Sequence, residues 1–205
     1  MAELRNAILT GASSGIGAGL SEELVRRGFR VGLISRRTEV LEERVEELRS
    51  IGGEALALPA DVTDDSAIRA AVDTMRSEWG EIDLAIANAG IGIPTPVKRF
   101  DTADAVAVMR TNVEGTFTLF GATVPSMVER GEGHFVGVAS ISSFRGIPGG
   151  SVYSASKAAQ RAFLEAARVE LSRTGVKVTI VNPGFIETPM TQKNRFRMPF
   201  LMKSE

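Results

Sequence analysis

The chain predicts the α/β class: a doubly wound parallel sheet sandwiched between two layers of helices. Three observations lead there. Short apolar runs and amphipathic stretches of helical period alternate about six times. The runs are continuously apolar, as in strands of a parallel sheet covered on both faces. Glycines and acidic caps punctuate the repeats, and right-handed crossovers then wind the helices onto both sides of one sheet.

The elements follow in order. "NAILTGA" (6–12) is a short buried-strand pattern ending in glycine. Leu20, Leu24 and Val25 recur at helical spacing, and Gly28 stops that helix. "RVGLIS" (30–35) is the second strand. Leu41, Val45 and Leu48 mark one face of the next helix, which stops at Gly52-Gly53. "EALALPADV" (54–62) is the third strand. Asp64 or Asp65 caps a helix carrying Ile68, Val72, Met75 and Trp79, closed by Gly80. "IDLAIANAG" (82–90) is the fourth strand, followed by a long helical region over roughly 102–130. "HFVGVAS" (134–140), a helix over roughly 152–173 and "KVTIVNPG" (177–184) complete the series. The tail "TQKNRFRMPFLMKSE" is mixed basic and apolar, with no strand of its own.

Composition narrows the function. A chain of 205 residues suits one large domain, here 1–205. The net charge of −1, from 24 basic and 25 acidic residues, provides no field for nucleic acid or an anionic membrane. No cysteine and a single histidine leave no expected metal site. No run approaches the ~18 apolar residues of a membrane span, and "MAELRNAILTGASSG" lacks the apolar core of a signal peptide. A cytoplasmic protein is expected. His134 is read as the start of a strand and is assigned no chemistry.

In "LTGASSGIGAGL", Gly11, Gly15 and Gly17 lie between the first strand and the first helix. Glycines there permit a tight turn and close approach of a ligand. The helix N-terminus then offers free N–H groups and a positive dipole to a pyrophosphate. The spacing is Gly-x3-Gly-x-Gly. With it, the sequence resembles the short-chain dehydrogenase/reductase family. "TGASSGIG" (10–17), "NAG" (88–90), Asn112, Ser140, "YSASK" (153–157) and "PG" (183–184) match that family's motifs in order, from about residue 4 to 190. The resemblance implies a Rossmann-like fold, a nicotinamide cofactor bound along Gly11, Ser13, Ser14, Gly15, Ile16 and Gly17, and a homodimer or homotetramer.

The second strand ends in Ser35, Arg36 and Arg37. In Rossmann-like sheets an acid at this tip favours NAD and an arginine accommodates the extra phosphate of NADP. Two guanidiniums suit bidentate phosphate contact, so NADP(H) is the expected cofactor. The basic residue that often precedes the second glycine in the family is replaced here by Ser14. By resemblance, Asp61 with Val62 takes the adenine, Asn88, Ala89 and Gly90 line the cofactor, and Pro183, Gly184, Ile186 and Thr188 contact its nicotinamide end.

The only tyrosine of the chain, Tyr153, stands four residues before Lys157, on the same face of a helix. A phenol has a pKa near 10, and a neighbouring ammonium lowers it. Tyr153 then gives a proton to a carbonyl oxygen, or takes one from an alcohol. Ser140 ends the fifth strand at the ligand edge of the sheet and stabilises the charge on that oxygen; Ser142 and Ser143 compete for the role, and register favours Ser140. By resemblance Lys157 also holds the nicotinamide ribose, and Asn112 holds a water that links the lysine to solvent. The expected reaction is hydride transfer between NADP(H) and a small carbonyl or alcohol, with an apolar substrate suggested by Phe196, Met198, Phe200, Leu201 and Met202. The alternative is a cofactor-binding regulatory or scaffold protein without turnover. An enoyl reductase is disfavoured because that branch spaces Tyr and Lys more widely. Family members continue for another helix and a seventh strand, so residues 191–205 are expected to be a substrate lid or the start of that further part.

Overall fold

The computed structural model describes residues 5–193, 198 and 200–203. Its regular elements are β1 (Arg5–Thr10), α1 (Gly15–Arg26), β2 (Phe29–Ser35), α2 (Thr38–Ser50), β3 (Ala55–Pro59), α3 (Asp65–Trp79), β4 (Leu84–Ala87), α4 (Thr102–Met109), α5 (Gly115–Arg130), β5 (Gly133–Val138), α6 (Ser151–Glu170) and β6 (Val176–Val181). The strands form one parallel sheet in the order β3-β2-β1-β4-β5-β6, with Ile8 of β1 opposite Gly32 of β2 and Ala85 of β4. After β1 the chain winds toward β2, and after β4 toward β5. The carboxyl ends of β1 and β4 therefore diverge into a crevice, where such sheets bind ligands.

The apolar residues read from the sequence build two cores, one on each face. Leu24, Val25, Leu41, Val45 and Leu48 bring α1 and α2 against Leu9, Val31 and Leu33. Ile68, Val72, Met75, Leu119, Met127 and Leu164 bring α3, α5 and α6 against Ile8, Ile34 and Phe135 on the other face. Asp64 is the cap of α3, accepting from the Ala67 N–H, while Asp65 begins the helix and pairs with Arg69. Both end-stops behave as expected: Gly28 and Gly80 follow α1 and α3 with positive φ.

Three expectations are corrected. The helix expected over 102–130 is interrupted: Arg110–Glu114 forms a π-turn between α4 and α5. Such a turn carries an extra residue, and here the hydroxyl of Thr116 takes the displaced Asn112 carbonyl at 2.9 Å. Next, β6 is not covered on both faces. Val176, Val178 and Ile180 turn inward, whereas Lys177, Thr179 and Val181 are exposed. On the neighbouring strand His134, the second residue of β5, shares a hydrogen bond with Thr179. Finally, the fourth strand spans Leu84–Ala87 rather than 82–90. The described part of the tail forms no strand, as expected, and Met202 makes an isolated parallel bridge with Ile186, through Met202 N–H to Phe185 O and Glu187 N–H to Met202 O. The expected lid residue Phe196 lies outside the described residues, with most of 194–199.

Candidate active site

The glycine loop turns at the switch point. Gly11 has φ +68°, and a Cβ there would come within 2.8 Å of the Ala89 backbone. At Gly17 a Cβ would stand 2.2 Å from the Gly11 carbonyl. The loop thus closes on itself and on the end of β4 with no room for a side chain. Ser14 precedes α1 in extended backbone and makes no capping bond, and no acid sits in the first turn. The capped helices differ: Asp64 and Asp101 fill the N-termini of α3 and α4. The first N–H groups of α1 are left facing the cleft, with the positive end of the helix dipole behind them.

The tip of β2 lies beside this loop. Arg37 bends back to donate to the Ser13 carbonyl and to the hydroxyls of Ser13 (2.8 Å) and Ser14 (3.3 Å). Arg36 reaches Asp61 at 3.6 Å while its side chain stays 73% exposed. Asp61 also accepts from Thr63 N–H and Oγ1, and these bonds hold its carboxyl below the ordinary aspartate range. At the end of β4, Asn88 donates to the Thr10 and Gly11 carbonyls, and Thr10 Oγ1 accepts from Asn88 N and Ala89 N. β4 ends at Ala87, with its apolar run, and these bonds lock the two diverging strands together.

At the other end of the cleft, Ser140 follows β5 and Tyr153 lies in the first turn of α6. The Ser142 N–H donates to Ser140 Oγ at 3.1 Å, so the serine keeps its own O–H as a donor. Ser140 and the Tyr153 phenol line the same end of the cleft. Ser142 does not line the cleft, and neither does Ser143, which donates to Asn182. The sequence argument has Lys157 drawing the phenol down. In the structure burial is the larger influence, and it holds Tyr153 above the usual phenol range, with the nearby Ser140 hydroxyl opposing. Lys157 Nζ is 6.0 Å from the tyrosine ring centroid and donates to Val138 O (2.7 Å) and Gln160 Oε1 (3.1 Å). Only 3% exposed, Lys157 is brought by burial to a pKa of about 8.

Of the catalytic and cofactor residues expected from the sequence, all but Gly17 and Asn112 line this one cleft, whereas the expected lid residues Met198, Phe200, Leu201 and Met202 do not. Gly17 packs behind the loop. Asn112 is fully buried, accepting from Ile91 N–H and donating to Ile91 O and Ser156 Oγ. It fastens the segment after β4 to α6. The sequence reading missed Thr10, Thr116, Ser156, Gln160 and Met190. Met190 lines the cleft beside Tyr153: a Cβ at Gly92 would stand 3.4 Å from the Met190 sulfur and 3.7 Å from the tyrosine ring. A legible signal existed for Gln160, a polar residue one turn before Leu164 on the buried face of α6. Met190, after the last strand, carried none.

Fold and cleft together define a doubly wound α/β protein with a dinucleotide crevice whose carboxyl-edge groups are a serine, a tyrosine and a lysine. The chain belongs to the short-chain dehydrogenase family, whose model matches residues 5–198. An uncharacterized oxidoreductase of Myxococcus xanthus is 43% identical over 206 residues, covering 100% of this chain and 81% of that one. A 3-ketoacyl-ACP reductase from Sinorhizobium meliloti superposes with a TM-score of 0.85 at 37% identity, over 89% of this chain and 72% of that one. A metagenomic short-chain oxidoreductase in complex with NADP also has a TM-score of 0.85, at 31% identity over 91% and 87% of the two chains. The family's members are oxidoreductases that act on small molecules with nicotinamide cofactors. Among the described residues, no helix is long and apolar enough to cross a membrane.

Proposed function

We propose that this protein is an NADP(H)-dependent oxidoreductase interconverting a carbonyl compound and its alcohol, with Tyr153 as general acid and base. The observation that carries the proposal is the meeting of Ser140, Tyr153 and buried Lys157 in the same cleft as the uncapped N-terminus of α1. The loop fits a dinucleotide, because Gly11 and Gly15 bring their backbone to the cleft without a side chain of their own, and Gly17 lets the loop close behind them.

The nicotinamide supplies or takes up the hydride. The chain's own groups do the rest. The α1 N-terminus with Ser13, Ser14 and Ile16 holds the pyrophosphate. Ser35, Arg36 and Arg37 hold the ribose phosphate; the loose, exposed Arg36–Asp61 pair gives up its geometry at small cost. Asp61 and Val62 flank the adenine. Asn88, Ala89, Gly90, Pro183, Gly184, Ile186 and Thr188 border the nicotinamide end. Ser140 donates to the carbonyl oxygen as negative charge grows there, and Tyr153 Oη delivers the proton. The ammonium of Lys157 favours the phenolate left behind. Asn112 holds the Ile91 backbone at the floor of the cleft. Met190 and the exposed Phe200, Leu201 and Met202 support an apolar substrate.

Titration of the chain with NADPH and NADH, followed by a panel of aldehydes and ketones, tests the proposal. Tight NADPH binding and carbonyl-dependent oxidation are expected. Tight binding without turnover on any carbonyl would sink the enzymatic reading and leave a cofactor-binding regulator.

A further inference from the structure

Lys157 is a buried cation whose described neighbours are neutral. Its Nζ bonds only a backbone carbonyl and an amide oxygen. The Asn112 carboxamide and the Tyr153 phenol face it from the π-turn and from α6. No charged side chain contributes to its shifted titration, which burial alone explains. An ammonium in such a place depends on the acceptors fixed around it.

Gln160, 0% exposed, is the side-chain acceptor, and its orientation is determined by its other end. Thr116 Oγ1 gives its hydrogen to the Asn112 carbonyl, displaced by the π-turn. The same oxygen then has only lone pairs left, so it accepts, and it accepts from Gln160 Nε2 at 2.8 Å. With its NH₂ committed to Thr116, the amide must present Oε1 to Lys157. The chain Asn112 O, Thr116, Gln160, Lys157 thus has one polarity and no alternative arrangement. It does not conduct protons, because an amide has a fixed acceptor end and a fixed donor end.

We propose that Gln160, oriented by Thr116, is the positioning residue for Lys157: it holds one of the three ammonium hydrogens, and Val138 O a second, so that the third is left for the cleft. The inference rests on the proposed role of Lys157 beside Tyr153, but its central test needs neither cofactor nor turnover. The chain has lysines at 98, 157, 177, 193 and 203 only. In protein labelled with ¹³C at lysine Cε, one resonance should titrate near pH 8, and it is assigned by its loss in Lys157→Arg. Gln160→Leu removes the acceptor from the charged form, and the midpoint should fall by roughly one unit, the scale of a single hydrogen bond to a charge. Thr116→Val leaves the amide NH₂ without its acceptor, loosens the aim of Oε1 at the cation and should move the midpoint the same way by a smaller amount. Gln160→Glu keeps the shape, adds a carboxylate and should raise it by more than about one unit.

With carbonyl turnover in hand, Gln160→Leu should lower kcat about 10-fold, the weight of ~1.4 kcal/mol in the barrier. Folded Gln160→Leu and Thr116→Val proteins whose lysine titrates at the wild-type pH would overturn the assignment, as would a Gln160→Glu protein showing no rise. An inactive wild-type chain with the expected titration shifts would instead refute the oxidoreductase reading and leave Gln160 in place.

Discussion

The cleft has a cation at each end, and the two are built on opposite principles. At the β2 end, Arg36 is 73% exposed and pairs loosely with Asp61 across 3.6 Å. At the β5–α6 end, Lys157 is 3% exposed and held by neutral acceptors at 2.7 and 3.1 Å. A solvated guanidinium costs little to keep and little to lose, since water replaces any partner it lacks. A buried ammonium costs folding free energy continuously, which makes sense only where its charge acts on something else. The difference teaches where mutation should act under the proposed function: at the exposed end on cofactor preference, and at the buried end on turnover.

The largest break is expected at Tyr153. Tyr153→Phe should cut turnover by about 10³–10⁴, the range of a lost general acid, with NADPH affinity nearly unchanged. Unaltered turnover removes Tyr153 from the mechanism. Ser140→Ala follows, with a loss of about 10²–10³ in kcat if its O–H steadies the developing oxyanion. A near-normal rate would move that duty elsewhere.

Lys157→Met sharpens the contrast, because stability and activity should move in opposite directions. The folded-state pKa of about 8 lies below the ordinary lysine value of 10.5. Between those values the unfolded chain holds a proton that the folded one has released, so the folding penalty from this group is full below pH 8 and fades as pH rises toward 10.5. At pH 7 that penalty is on the order of 3 kcal/mol. Its removal is offset in part by the acceptors left unpaired at Val138 O and Gln160 Oε1, so the Tm should rise modestly while turnover is lost. In the wild type, kcat/KM should decline on the basic side with a midpoint near pH 8, as Lys157 loses its charge before Tyr153 does. A basic limb that persists in Lys157→Met would assign it to another group.

The smallest effects belong to the rim. Arg36→Ala and Arg37→Ala should each weaken NADPH about 10-fold more than NADH, the scale of one charge-assisted bond, and the gap should narrow in high salt. Their Tm should shift by less than about 0.5 kcal/mol equivalent. Equal losses for both cofactors would mean that the arginines do not read the phosphate.

Much of this was legible in the chain itself. Period and punctuation placed all six strands, because a continuous apolar run and a glycine stop are local properties of a strand buried in a parallel sheet. The loop glycines, the Arg36-Arg37 tip and the Tyr153–Lys157 pair were visible because each needs a particular residue type at a particular spacing. The boundaries were less so. Pairing of β4 stops where Thr10 and Asn88 meet, though they lie 78 residues apart. The break between α4 and α5 arises from Asn112 reaching Ile91, a contact that no helical period announces.

The sequence by itself therefore determined the class of fold, the strand–helix order and the kinds of reactive group, since these follow from side-chain chemistry and short-range spacing. Only the tertiary structure decided that Lys157 is buried against neutral acceptors, that Gln160 and Thr116 orient it, and that the exposed face of β6 departs from the two-sided pattern. Burial, and the polarity of a hydrogen-bond chain, depend on which distant segments meet, and that is decided by packing.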